Sequence, residues 1–316
     1  MGFCRSMTAV LVAVAPAVSP FAAQRSSRMR SACANLSTLR TQAASVRAKL
    51  PHRLQESPPP PSDFAAALAY PSAYLKQDED GKSGAHMRGF CNWIVPGMLM
   101  VGQYPGQNPE ANGPTEAEAA DHIRSVVADA GIRTFCCLQS EVPAQDDDGA
   151  WKKAEADGGG VYLDRYARAM WPQPFTWYSP MVRQVLDDMN AAEAVRYLHV
   201  PIEDLTVPDS SGELYGLLSQ LLAIMNEKLD SSGGGIYLHC WGGRGRAGLV
   251  ASCLLSLLYP EVDATQILDL IQGGYDSRAG ADRMPEALSR SPQTEEQRDF
   301  VRRFVSKRRR MKDNGG

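Results

Sequence analysis

The stretch from His239 to Gly248 constrains this chain more than any other. Ile236 to His239 reads as a short buried strand, entered through Gly233-Gly234-Gly235 and ending at Cys240. Trp241-Gly242-Gly243-Arg244-Gly245 follows, and Arg246 then opens a helix to about Leu258 whose Leu249, Val250, Cys253, Leu254, Leu257 and Leu258 share one apolar face. Glycines let the backbone curl so that successive N–H groups point inward, and the helix N-terminus aims its unsatisfied N–H groups and positive dipole end at the same spot. The product is an anion cradle. Arg246 offers a two-pronged fork to phosphate oxygens, and Cys240 stands at the positive rim, where a cysteine is favoured as thiolate. A nucleophilic sulfur beneath a bound phosphate is what these residue types build in this order.

Strands and helices alternate around that stretch. Residues 98–104 read as a strand, Thr115 and Glu118 have the spacing of a capping box for a helix to about Ala130 with Gly131 as its stop, and Ile132 to Leu138 is a β-rich run. Arg196 to Ile202 is a further strand. Ser210 with Glu213 opens a helix carrying Leu214, Leu217, Leu218, Leu221, Leu222, Met225 and Leu229 at core spacing. Two more helices are expected near 263–272 and 294–306. The pattern predicts an α/β fold with a central, mostly parallel sheet flanked by helices. Residues 143–195 resist reading. Asp146-Asp147-Asp148, Gly158-Gly159-Gly160 and the aromatics Trp171, Phe175, Trp177 and Tyr178 suggest an insertion or recognition lobe, the aromatics serving either as core or as a sugar platform.

Charge divides the chain. The formal net charge is −3, yet residues 1–55 hold eight Lys or Arg and no acid, and residues 301–316 carry +6, which leaves −17 on residues 56–300. Such an acidic body argues against nucleic-acid partners. Hydrophobic content of 44% is enough to bury a core, and no apolar run has the length of a membrane span. The acid-free start, with the apolar stretch 8–18 followed by an Arg-, Ser- and Ala-rich segment, predicts a presequence over 1–55. It resembles the bipartite leader of algae with secondary plastids, so a plastid address is expected. A mitochondrial address, or lipid anchoring through Gly2 and Cys4, is the alternative. On this reading 56–85, with prolines from 58 to 61, is a linker, 86–306 the domain, and 307–316 a basic tail, either a solvated helix end or a patch able to touch anionic surfaces. The seven cysteines do not form a disulfide scaffold.

Cys-x5-Arg between a strand and a helix, with His239 before it and Gly243 and Gly248 at their places, resembles the cysteine-dependent protein tyrosine phosphatases, most closely the atypical dual-specificity branch. The resemblance spans roughly residues 90–305. It implies phosphomonoester hydrolysis through a cysteinyl-phosphate on Cys240. Arg246 and the loop Trp241, Gly242, Gly243, Arg244 and Gly245 would hold the phosphate. A general acid would come from the loop after the preceding strand, where Asp204 fits best and Glu203 and Asp209 are neighbours. His239 would support the loop. Gln297 resembles the family glutamine that positions water, although its spacing from Thr294 is also that of a capping box. Arg278 corresponds to a family arginine near the site. No cofactor or metal is implied. Most members carry Ser or Thr after the loop arginine, and this chain has Ala247, which points to slow release of the phosphoenzyme. The substrate expected is a phosphorylated protein. Inositol phosphates, phosphoinositides or phosphoglucans are alternatives, as is a pseudophosphatase that only grips phosphate. A sulfurtransferase would not need the Asp204 loop.

Overall fold

A computed structural model describes residues 35–59, 91–109, 113–156, 161, 174–231, 233–278 and 281–313. Five strands form one sheet: β1 Cys91–Val95, β2 Leu99–Gly102, β3 Ile132–Gln139, β4 Arg196–Ile202 and β5 Gly235–His239. Their order is β1-β2-β5-β3-β4. The β1–β2 pair is an antiparallel hairpin, and every other pairing is parallel. β5 is buried at all five positions, as a central parallel strand covered on both faces must be. The β1 strand was not expected from the sequence, where its short apolar run gives no period to read.

The helices are α1 Leu36–Lys49, α2 His52–Glu56, α3 Glu116–Arg124, α4 Asp148–Ala156, α5 Ser179–Asp188, α6 Ser211–Asp230, α7 Arg246–Leu258, α8 Ala264–Asp276 and α9 Glu295–Asp313. α7 is buried along its whole length. Helix α6 and the apolar side of α1 pack around it, with α8 and α9 completing that layer. A second core lies on the other side, built from Phe135, Tyr237, Val126, Val127, Trp151, Phe175, Tyr178 and Val182. The expected capping box is formed: Thr115 accepts from the Glu118 N–H, and Glu118 accepts from the Thr115 N–H. After α3 the helix widens into a π turn, Ser125–Asp129, and Gly131 ends it at φ +66°.

Two expectations about organisation need correction, and one left open is decided. The presequence expected over 1–55 overlaps α1, which is an integral part of the domain. Asn35 caps it at the Thr38 N–H, and Leu36, Leu39, Ala43 and Val46 are buried, as are Leu50 and Leu54 beyond it. Arg47 pairs with Glu261 and Lys49 with Asp230, each at 2.7 Å. The leader reading is thereby confined to residues 1–34, which lie outside the described residues, as do 60–85 of the expected linker. Residues 35–316 carry a net −7 once the four arginines before Asn35 are set apart. The basic tail at 307–316 continues α9 through Asp313, as a helix end, but it is not solvated throughout. Arg308 is 2% exposed and donates to the carbonyls of Ser256, Tyr259 and Val262, satisfying the open C-terminal end of α7. Of the two readings open for the aromatics at 143–195, core holds in the described part: Trp151, Phe175 and Tyr178 are buried, and Trp177 stacks on Trp151 at 6.4 Å. Trp171 and Gly158–Gly160 lie outside the described residues.

Candidate active site

β3, β4 and β5 run parallel, so the loops at their carboxyl ends open at one end of the sheet, the usual ligand crevice of such folds. The loop after β5 runs from Cys240 to Gly245. Gly243 takes φ +64°, and a Cβ there would meet the Gly102–Gln103 backbone at about 2.1 Å, so only glycine fits. The loop is tied down from behind. Tyr104 N–H donates to the Trp241 carbonyl at 2.8 Å, and Ser291 Oγ donates to the Arg244 carbonyl at 3.0 Å. Arg278 is buried and donates to the Gly243 carbonyl at 2.8 Å, to the Val101 carbonyl at 3.1 Å and to Asn92 Oδ1 at 2.8 Å. Burial lowers the Arg278 pKa, and these acceptors hold the guanidinium in place. Gly245 precedes α7 with no side-chain cap on the helix, so the first N–H groups of α7 face the cradle.

Arg246 is the first residue of α7 and is 1% exposed. Its two terminal nitrogens meet the two oxygens of Glu141 at 2.7 and 2.9 Å, and it also donates to the Ile202 carbonyl at 3.0 Å. Asp204 Oδ1 lies 3.0 Å from the same guanidinium. Burial works against the charge, but Glu141, Cys240 and Asp204 beside it raise the Arg246 pKa above its ordinary value. Glu141 was not anticipated. Its one sequence signal is its place just past the carboxyl end of β3, in a stretch with no periodicity.

His239 is fully buried. Its Nε2 is 2.9 Å from the Tyr178 hydroxyl, and the Cys240 backbone is its other polar neighbour. Burial pushes its pKa down to about 3, so the ring is neutral and serves as a prop. His122 is likewise buried, 2.9 Å from the Tyr237 hydroxyl, with a pKa of about 3 from burial. Burial drives the Cys137 thiol up to about 12 and those of Cys136 and Cys253 higher still, which leaves these three inert.

Of the residues expected in the site, the fold brings Cys240, Trp241, Gly242, Gly243, Arg244, Gly245 and Arg246 into one loop, with His239 behind it and Asp204 across it. Trp241 is half-buried and packs edge-to-face on Phe175 at 5.4 Å. Arg244 turns to Gln293, donating from Nε at 3.2 Å. Gln297 is buried against Gly245 and Thr294, and the capping box with Thr294 is formed. Glu203 and Asp209 are exposed, and Ser210 caps α6. Among the described residues no cluster of His, Cys, Asp or Glu could hold a metal ion, and no helix is long and apolar enough to cross a membrane.

Residues 179–301 match the family model PTP-SAK, described as the DSP-PTPase phosphatase domain of a Swiss Army Knife protein. No curated protein matches the chain. Among solved structures, kinase associated phosphatase with its catalytic cysteine replaced by serine is 16% identical, with 70% of this chain and 94% of that chain covered and a TM-score of 0.40. TpbA of P. aeruginosa is 17% identical, with 71% and 91% covered and a TM-score of 0.37. PTPMT1 in complex with PI(5)P is 12% identical, with 68% and 95% covered and a TM-score of 0.37.

Proposed function

We propose a reaction for a chain that belongs, through residues 179–301, to the cysteine-based dual-specificity phosphatase family: hydrolysis of phosphoprotein monoesters through a cysteinyl-phosphate on Cys240. The observation that carries this reading is the buried Arg246 fork. It is fixed by Glu141 at the helix-start cradle and lies 3.0 Å from the Asp204 carboxylate.

In the first step the Cys240 thiolate attacks phosphorus in line, the bond from phosphorus to the leaving oxygen breaks, and protonated Asp204 gives its proton to that oxygen. Arg246 and the loop N–H groups stabilise the charge spread over the equatorial oxygens. In the second step water attacks phosphorus, its proton passes to the Asp204 carboxylate, and the sulfur–phosphorus bond breaks to free phosphate. Glu141 holds Arg246 in one rotamer before substrate arrives, so little ordering is left for the reaction. An incoming phosphate displaces Asp204 from Arg246 and leaves the Glu141 contact intact. Ala247 offers no hydroxyl to the departing thiolate, which makes the second step the slow one.

Protein phosphate is favoured over phosphoinositides and other polyanions because the extra loop cation, Arg244, is bonded to Gln293. The rim instead presents Trp241 and Leu205, the latter 49% exposed. The test is phosphate release by the full chain from phosphotyrosyl, phosphoseryl and phosphothreonyl peptides, phosphoinositides and phosphoglucan, beside Cys240→Ser. Release from peptides alone is expected. Preference for a polyanion would overturn the substrate class, and no release from any ester would overturn the enzyme.

A further inference from the structure

We infer that the first turn of α9 is a clasp for the loop that carries Asp204, with Gln297 as its positioning residue. The inference rests on the phosphatase reading and assigns Gln297 a task other than handling water. The Gln297 side chain is fully buried and its hydrogen bonds are committed. Oε1 accepts from the N–H groups of Gln293 and Thr294, at 3.1 and 3.2 Å, and Nε2 donates to the Thr206 carbonyl at 2.9 Å. Thr294 Oγ1, besides capping α9, lies 3.3 Å from the Leu205 carbonyl and donates to it. Two side chains of one helix cap thus hold two consecutive carbonyls immediately after Asp204.

The loop needs such an anchor. Leu205 takes φ +63°, the left-handed region that a leucine adopts at a cost, and its side chain stands 49% exposed with little packing to fix it. Within the loop, Thr206 folds back on Glu203, its N–H and hydroxyl both donating to that carbonyl at 3.2 and 2.9 Å. This tight turn orients Asp204 toward Arg246, and the clasp fixes it to an element that also borders the phosphate loop at Gly245. A capping box needs only the acceptor half of a glutamine, so the bond donated to Thr206 is the half that glutamate could not supply.

The full chain and its Gln297→Glu and Gln297→Met variants, each with and without Asp204→Asn, are assayed on p-nitrophenyl phosphate and phenyl phosphate. Glutamate keeps the cap, loses the donated bond and turns a buried carboxylate oxygen toward the Thr206 carbonyl, so its Tm is expected to fall and its kinetics are read well below that Tm. Methionine loses both and adds no charge. Phenolate is the poorer leaving group and depends more on the acid. The kcat/KM preference for p-nitrophenyl over phenyl ester is therefore expected to rise about tenfold in both Gln297 variants, part of what a general acid contributes. In the Asp204→Asn background the same changes should move that preference less than about twofold, because the acid they act through is gone. Equal losses on both esters, or an undiminished effect in that background, would overturn the inference. So would a slower breakdown of the phosphoenzyme with unchanged leaving-group preference, the mark of a water-positioning residue. If the parent chain releases phosphate from neither ester, the phosphatase reading itself fails and takes the inference with it.

Discussion

The loop from Cys240 to Arg246 and the helix α1 teach opposite lessons about one sequence. The loop is encoded locally: a strand, three glycines and an arginine at a helix start suffice to build an anion cradle, and neighbouring residues supply its parts. α1 is encoded at a distance. Its composition, free of acids and rich in Arg, Ser and Ala, is that of a leader, and only its partners α6 and α7 reveal it as core. A clue was present. Leu36, Leu39, Ala43, Val46 and Leu50 recur at steps of three and four, an apolar stripe of helical period. Of the positive charges that suggest an address, Arg47 and Lys49 pair with Glu261 and Asp230.

If that contrast holds, the two regions fail differently. The largest effect is expected from deletion. Removing residues 1–34 should leave a cooperative thermal transition, whereas removing 1–56 strips the cover from α6 and α7 and should yield an insoluble or molten chain by near-UV circular dichroism. A folded chain beginning at residue 57 would erase the contrast. Cys240→Ser should abolish turnover while Tm stays within a few degrees. Next comes Leu39→Ala, at a fully buried position, which is expected to cost about 3 kcal/mol in urea unfolding and to spare kcat/KM wherever the chain is folded. Ala247→Ser should raise steady-state kcat a few-fold and shrink any pre-steady-state burst. An unchanged burst would mean that breakdown of the phosphoenzyme does not limit the rate.

A separate prediction concerns pH. His122 and His239 are held neutral by burial, with pKa values of about 3 against an unfolded value near 6.5. Between those values the unfolded chain binds protons that the folded chain refuses. Stability is therefore full above about pH 6.5 and falls as pH drops toward 3, each ring contributing up to about 1.4 kcal/mol per pH unit. Urea unfolding at pH 7, 6 and 5 should show this slope, and His122→Gln should flatten it. A slope that the substitution leaves unchanged would rule out this origin.

Much of the sheet was legible. The runs at 98–104, 132–138, 196–202 and 236–239 are strands within a residue or three of where their apolar patterns put them, and the Thr115–Glu118 cap stands as its spacing suggested. The site divides along the same line as the comparison above. Its loop residues could be read because they are contiguous. Glu141, Tyr178 and the Arg278 clamp were missed or barely glimpsed, because each reaches the loop from another strand or helix and carries no local signature. Arg308 is hidden in the sequence for a related reason: one inward-facing arginine among basic neighbours looks like part of a charged tail until the carbonyls of Tyr259 and Val262 are in view.

The central claim, that phosphate passes through sulfur at Cys240, is tested most directly by rapid quench of the full chain with a ³²P-labelled phosphotyrosyl peptide. The expected result is an acid-stable phosphoenzyme, approaching one phosphate per chain, mapped to Cys240, forming faster than steady-state turnover and absent from Cys240→Ser. Phosphate release with no label on the protein, or label on any other residue, would contradict it.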